Sequence, residues 1–220
     1  MARKKHADKK IEEDESWLLT YADFITLLMG FFVMMFSISK IDAVKLEQIQ
    51  SSISKQVGKV EPEKPLQSLK TDMREVVRDM ALDDSIGIGT DEDGITIEFA
   101  SSAFYKPGSA ELKPDAEPVM RRLAVILNGE RYAGFQIEAQ GHTDDTAIQT
   151  AQYPSNWELS AGRATAVVRI FSDAKVNPAR MRAVGYADVM PKVPNRDPNG
   201  NPLAANQSIN RRVVVKVMPR

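Results

Sequence analysis

The 220 residues include no cysteine, which excludes disulfides, thiolate metal sites and a cysteine nucleophile but does not identify the compartment. Histidine is nearly as scarce, at two residues. His142 alone lies outside the charged N-terminal stretch, and no second ligand follows it at metal-binding spacing. No serine sits in a nucleophile motif, so neither a catalytic residue nor a metal site is expected, and the chain does not read as an enzyme. An excess of one charge sign is also missing: the formal net charge is −1. Without basic bias or interleaved basic and aromatic residues, no nucleic-acid partner is expected.

What the chain does have is one long apolar run, residues 17–39, WLLTYADFITLLMGFFVMMFSIS, with a single charged residue, Asp23. At about 1.5 Å per residue, roughly twenty helical residues cross a hydrocarbon core of about 30 Å. A signal peptide is the rival reading, supported by the basic start (Arg3, Lys4, Lys5, Lys9, Lys10) and the small residues of Ser37-Ile38-Ser39. The run is too long for a signal core of roughly 7–15 residues, carries Asp23, and is separated from the basic start by Glu12-Glu13-Asp14-Glu15. A membrane helix is therefore expected over 17–39, with a charged tail at 1–16. Trp17 and Tyr21 suit an interfacial position. A carboxylate at membrane depth costs about 2.5–3.5 kcal/mol on insertion scales, so Asp23 needs a protein partner or an ion path. Thr20, Thr26 and Gly30 fall near its helix face and could pack against another helix. Lys and Arg flank both ends, so charge alone only leans towards a cytoplasmic N-terminus.

Residues 40–58 change to an amphipathic pattern, with Ile41, Val44, Ile49, Ile53 and Val57 near a 3.6-residue period. Two readings stand: a continued helix packed on a dimer mate, or a segment that docks on a partner and moves. Glu61-Pro62-Glu63-Lys64-Pro65 reads as a linker, followed within 59–85 by a helix with Leu66, Leu69, Met73, Val76, Val77 and Met80 on one face. Residues 86–220 read as an α+β domain, helices packed on a mixed sheet. Short strands are expected at 86–88 and 95–99 around Asp91-Glu92-Asp93-Gly94, a helix over 115–128, and a strand over 135–139. A helix over 156–173 follows, capped by Asn156, with Leu159, Ala164, Val167, Val168 and Phe171 inward. Strands over 181–186 and 213–217 flank a long loop, 187–209.

Polar residues gather where these elements meet loops: Asp144 after a strand, Asn156 and Arg163 on a helix, and Asn210-Arg211-Arg212 before the last strand. A neighbouring carboxylate and guanidinium suit a zwitterionic ligand, one end ammonium and the other carboxylate. An internal ion pair between Asp144 and Arg163 accounts for the same residues equally well.

Gly141-His142-Thr143-Asp144-Asp145-Thr146, Asn156-Trp157-Glu158-Leu159-Ser160 with Arg163-Ala164, and Asn210-Arg211-Arg212-Val213 resemble the OmpA-like peptidoglycan-binding domain. Phe104-Tyr105-Lys106-Pro107-Gly108-Ser109-Ala110-Glu111-Leu112 is similar to that domain's opening stretch. The double Asp and the Asn-Trp-Glu-Leu-Ser form are most similar to the flagellar motor stator B subunit, the MotB/PomB family. Independently, Ser16-Trp17 with Tyr21-Ala22-Asp23-Phe24 resembles that family's single transmembrane helix. The resemblance covers nearly the whole chain.

The resemblance implies that Asp23 carries the transported ion, with Thr20, Tyr21 and Thr26 supporting it on the channel face. It favours the second reading of residues 40–58, a plug that docks and moves, with Ile41, Val44, Ile49 and Ile53 as its apolar stripe. It implies two B chains inside a ring of MotA-like A subunits, five A to two B in the family's pattern, which alone touch the rotor. Peptidoglycan would be held by Asp144 and Arg163 through the diaminopimelate of the wall peptide, with Asn156, Leu159 and Arg212 in support. The chain would be single-pass in the bacterial inner membrane, its N-terminus cytoplasmic and its C-terminal domain in the periplasm. No cofactor is implied. Tyr21-Ala22-Asp23 is more similar to proton-type members, and a carboxylic acid alone suffices for H⁺ whereas Na⁺ needs further oxygen ligands, so protons are favoured over sodium. A helix-tethered wall anchor without ion transport, and the stator of a non-flagellar ion-driven motor, are the alternatives. Three features depart from the pattern: Ala147 stands where the family often has Pro, Gly185-Tyr186-Ala187 replaces Gly-Tyr-Gly, and the linker is short.

Overall fold

The computed structural model describes residues 16–38, 49 and 65–219. Residues 1–15 of the tail expected at 1–16, residues 59–64 of the segment expected at 59–85, and the plug positions Ile41, Val44 and Ile53 lie outside the described residues; Ser16 already belongs to the helix, and Ile49 is helical and exposed. The chain divides into two units, one built on the N-terminal apolar helix and one on the folded domain.

Helix α1, Ser16–Ile38, is 23 residues long, or roughly 34 Å at the helical rise. Its stretch Trp17–Ser37 is long and apolar enough to cross a bilayer. Both threonines beside Asp23 spend their hydroxyl protons within the helix: Thr20 donates to the Trp17 carbonyl and Thr26 to the Asp23 carbonyl, each at 2.8 Å. A threonine hydroxyl has one proton to give, so neither donates to the Asp23 carboxylate.

The domain begins with α2, Pro65–Asp79, and continues through β1, Ile86–Thr90, and β2, Ile95–Ala100. After the one-turn α3, Ser101–Phe104, come α4, Ala116–Leu127, and β3, Phe135–Gly141. The chain closes with α5, Asn156–Asp173; β4, Met181–Gly185; α6, Ala204–Asn210; and β5, Arg212–Pro219. The strands form one mixed sheet in the order β1-β2-β5-β3-β4, with β3 and β4 parallel and every other pair antiparallel. This is the expected OmpA-like architecture.

Strand alternation decides which side chains meet the helices. Ile95, Ile97 and Phe99 of β2, Val213, Val215 and Val217 of β5, and Ile137 and Ala139 of β3 stand side by side in register and turn inward. Leu69 and Met73 of α2, Met120 and Leu123 of α4, and Val167 and Phe171 of α5 cover them. Two layers therefore enclose one core, and the opposite sheet face carries ion pairs such as Glu138–Arg182 and Glu98–Lys192.

Three local expectations are corrected. Asn156 does not cap α5; Ser155 does, its hydroxyl oxygen accepting from the Trp157 amide at 3.2 Å while the hydroxyl donates to the Glu158 carboxylate, so the cap satisfies one of the free amides at the helix start. Val168 is only partly buried and Ile170 takes its place in the core. The stretch 187–209 is not one loop: Arg196 bridges to Pro202 and α6 begins at Ala204.

Candidate functional site

The parallel pair β3–β4 and the crossover helix α5 fix the site, because the first turns of α5 are pressed onto the ends of both strands. Gly141 closes β3, and a Cβ there would overlap the carbonyl of Ser160 on α5. A glycine is required for so close an approach. On the other strand, the Ser160 hydroxyl donates to the Trp157 carbonyl and accepts from the Ala187 amide at 3.1 Å. Ala187 sits at φ +47°, the left-handed region, which explains why glycine is usual there. The chain beyond β3 is thereby delivered to the N-terminal end of α5.

A cavity of about 290 Å³ opens at this junction, lined by residues that include Gly108, Asp144, Asn156, Leu159, Arg163 and Arg211. Asp144 is buried. Its Oδ1 accepts from the Thr146 amide at 3.0 Å and its Oδ2 from Arg211 Nη1 at 2.5 Å. Asn156 ties the loop to the helix, donating through Nδ2 to the carbonyls of Asp144 and Thr146 at 3.3 and 3.1 Å. Leu159 is buried but stands outside the main core, contributing an apolar wall. Gly108, at φ +63°, turns the 104–112 stretch over the cavity.

Arg163 is 4% exposed. Its Nε donates to the Ser109 carbonyl at 3.0 Å, and its guanidinium lies over the Tyr105 ring, 5.4 Å from the centroid. Tyr105 in turn donates its hydroxyl to the Arg163 carbonyl at 3.0 Å. Among the described residues, the buried Nη1 of Arg163 has no hydrogen-bond partner. Burial lowers the guanidinium pKa, opposed by the Tyr105 hydroxyl and the Asp144 carboxylate and reinforced by Arg211. An arginine nonetheless stays charged in a protein. The pocket thus holds one carboxylate and two guanidiniums, with a donor on Arg163 free for an anion.

The structure brings together Asp144, Asn156, Leu159 and Arg163 but does not join Asp144 to Arg163 by an ion pair. Arg212 is not part of the pocket. It lies on the sheet face opposite α5, donating to the carbonyls of Asn210 and Met190 at 3.3 and 3.2 Å. Its neighbour Arg211 occupies the pocket instead. The alternation of Val213, Val215 and Val217 carries the signal, since residues 212, 214 and 216 must face the other way. Tyr105 also escaped assignment as an orienting residue. The second carboxylate, Asp145, holds the segment between β4 and β5 through Arg196 at 2.5 Å and Gln207 of α6 at 2.8 Å, and these bonds hold its pKa below the ordinary value, that of Gln207 contributing most.

A mixed sheet in this order, with an acid–guanidinium pocket at the end of its parallel pair, defines an OmpA-like domain, and one candidate membrane span precedes it among the described residues. Comparison with known proteins agrees from both ends. Residues 104–204 match the OmpA family, and residues 2–57 match the family described as membrane MotB of the proton-channel complex MotA/MotB. The chain is 30% identical to the uncharacterised protein YtxE of Bacillus subtilis, across 88% of this chain and 87% of that one. It is 26% identical to Motility protein B of the same organism, across 99% and 95%. A MotB-like protein from Desulfovibrio vulgaris superposes with a TM-score of 0.61 at 28% identity, covering 80% of this chain and 96% of that structure. The chain belongs to the MotB family, with a C-terminal OmpA-like domain.

Proposed function

We propose that this chain is the B subunit of an ion-driven stator, which conducts cations with MotA-like A subunits, turns the flagellar rotor through them, and holds to peptidoglycan. The observation that carries the proposal is the isolation of Asp23. It is the one charged residue within a 21-residue apolar span, and both adjacent threonine protons are spent on the helix backbone. The bilayer interior opposes a charged carboxylate, whereas a permeating cation or a polar wall favours one. A group poised between them can take up and release a cation, and the change of charge alters its packing against the partner. Two copies of the chain within one A-subunit ring would place two such carboxylates along the ion path.

The wall attachment rests on Asp144 and Arg163, which present an anion for an ammonium and a cation for a carboxylate, the two ends of a diaminopimelate side chain in a wall peptide. The N-terminus is then cytoplasmic and the domain periplasmic. The transported cation is proposed to be the proton, in keeping with the description of the matching family. The test is co-expression with a MotA-like subunit after deletion of residues 42–54, the proposed plug. Acidification of the cytoplasm and slowed growth are expected, both abolished by Asp23→Asn and both unaffected when potassium replaces sodium. Unchanged growth would favour a wall anchor without transport, and a leak needing sodium would change the cation.

A further inference from the structure

Arg163 and Arg211 enter the same cavity but are held in opposite ways. Arg163 is buried, bonded to the Ser109 carbonyl and stacked on Tyr105. Arg211 is held at its backbone, where its amide donates to the Gln207 carbonyl at 3.0 Å and its carbonyl accepts from the Ser101 amide at 2.9 Å, and its side chain has one partner, Asp144. Its side chain is 38% exposed and reaches inward to the Asp144 carboxylate, whose own side chain is 8% exposed. The partly exposed Arg211 side chain has solvent to swing into, but the carboxylate it leaves is buried and cannot stay unpaired, so the exchange is open only to a ligand whose own cation takes the vacated place.

We propose that Arg211 is a tethered competitor for Asp144, occupying the place that a ligand's ammonium must take and thereby setting which ligands the pocket accepts. The proposal rests on the zwitterionic-ligand reading of Asp144 and Arg163. A ligand carboxylate is offered the Nη1 donor of Arg163, which no protein acceptor occupies among the described residues. An ammonium must first dislodge Arg211, and that exchange is repaid only when a carboxylate on the same ligand reaches Arg163. A wall peptide ending in a lysine ammonium loses on both counts, whereas a diamino diacid gains on one. Arg211 therefore discriminates between cell-wall chemistries through competition, before any shape selection.

The proposal is tested by titrating the detergent-solubilised full chain with meso-diaminopimelate, pimelate (carboxylates only) and cadaverine (ammoniums only). The wild type should bind them in that order, with cadaverine undetected. Arg211→Gln should tighten diaminopimelate by about three- to tenfold, make cadaverine binding measurable, and weaken pimelate by removing one positive charge. Arg211→Lys, which keeps the charge but loses the planar fork, should fall between them. If Arg211→Gln leaves all three affinities unchanged, or weakens diaminopimelate as it does pimelate, the competitor role is wrong. If Asp144→Ala and Arg163→Ala bind diaminopimelate as well as the wild type, the underlying reading fails instead.

Discussion

Asp144 and Arg163 line one cavity, yet the carboxylate is bonded to Arg211 Nη1 at 2.5 Å while the Arg163 Nε is bonded to the Ser109 carbonyl at 3.0 Å. Their opposite charges are close enough to influence each other without being spent on each other. A structural ion pair would have satisfied both partners. Here the buried cation keeps a donor, Nη1, without a protein acceptor among the described residues, which is a cost the free chain bears and a ligand anion relieves.

Arg163 should therefore trade stability against binding. Arg163→Met removes a buried charge whose pairing is incomplete, and leaves Asp144 bonded to Arg211, so no new charge is orphaned. Replacement of poorly paired buried charges by apolar groups is neutral or stabilising. We expect the variant to unfold at the same denaturant concentration or higher, with a gain of up to about 1–2 kcal/mol, while its retention on purified sacculi falls at least tenfold. A large loss of stability together with unchanged retention would show that Arg163 serves the fold.

The left-handed Ala187 offers a test in the other direction. An L-residue in that region carries a penalty of roughly 1–2 kcal/mol, partly offset by the greater entropy glycine loses on folding. Ala187→Gly should raise stability by about 0.5–1 kcal/mol without altering wall binding, because the Ala187 amide and carbonyl keep their bonds to the Ser160 hydroxyl and the Thr143 amide. Chemical denaturation of the two proteins side by side measures it.

Acid stability should depend on His142. Its ring is buried, stacked on Tyr186 with centroids 5.2 Å apart, and its pKa is pushed down to about 4 by burial and then by Arg212. Between that value and the unfolded value near 6.5 the unfolded chain binds a proton that the folded chain refuses. Stability is full above the unfolded pKa and falls as pH drops through this window, by an amount on the order of 3 kcal/mol. His142→Gln should flatten the pH dependence of the unfolding midpoint between pH 6.5 and 4. An unchanged slope would assign the acid sensitivity to other groups.

Much of this was legible in the residues, for physical reasons. The apolar run before and after Asp23, the alternation of Val213, Val215 and Val217, and the spacing of Leu66, Leu69 and Met73 each impose a period that only one element satisfies. The pocket was legible as a set of residue types near loop ends. Its partners were not, because they depend on which face each side chain takes: Arg211 and Arg212 are adjacent in sequence and end on opposite sides of the sheet. The cap of α5 was displaced by one residue because Ser155 and Asn156 are both competent, and Glu158 three positions beyond Ser155 settles which is used. α6 was hidden in a stretch rich in Pro and Asn, where seven residues give too short a pattern to separate from a loop.

The central claim is that Asp23 carries the cation, and torque on single tethered cells tests it most directly. Cells whose stators contain Asp23→Asn, inserted in the membrane and co-purifying with the A subunit at wild-type levels, should generate no torque, while Asp23→Glu, which keeps the ionisable group, should retain part of it. Wild-type rotation driven by the Asp23→Asn stator would contradict the account.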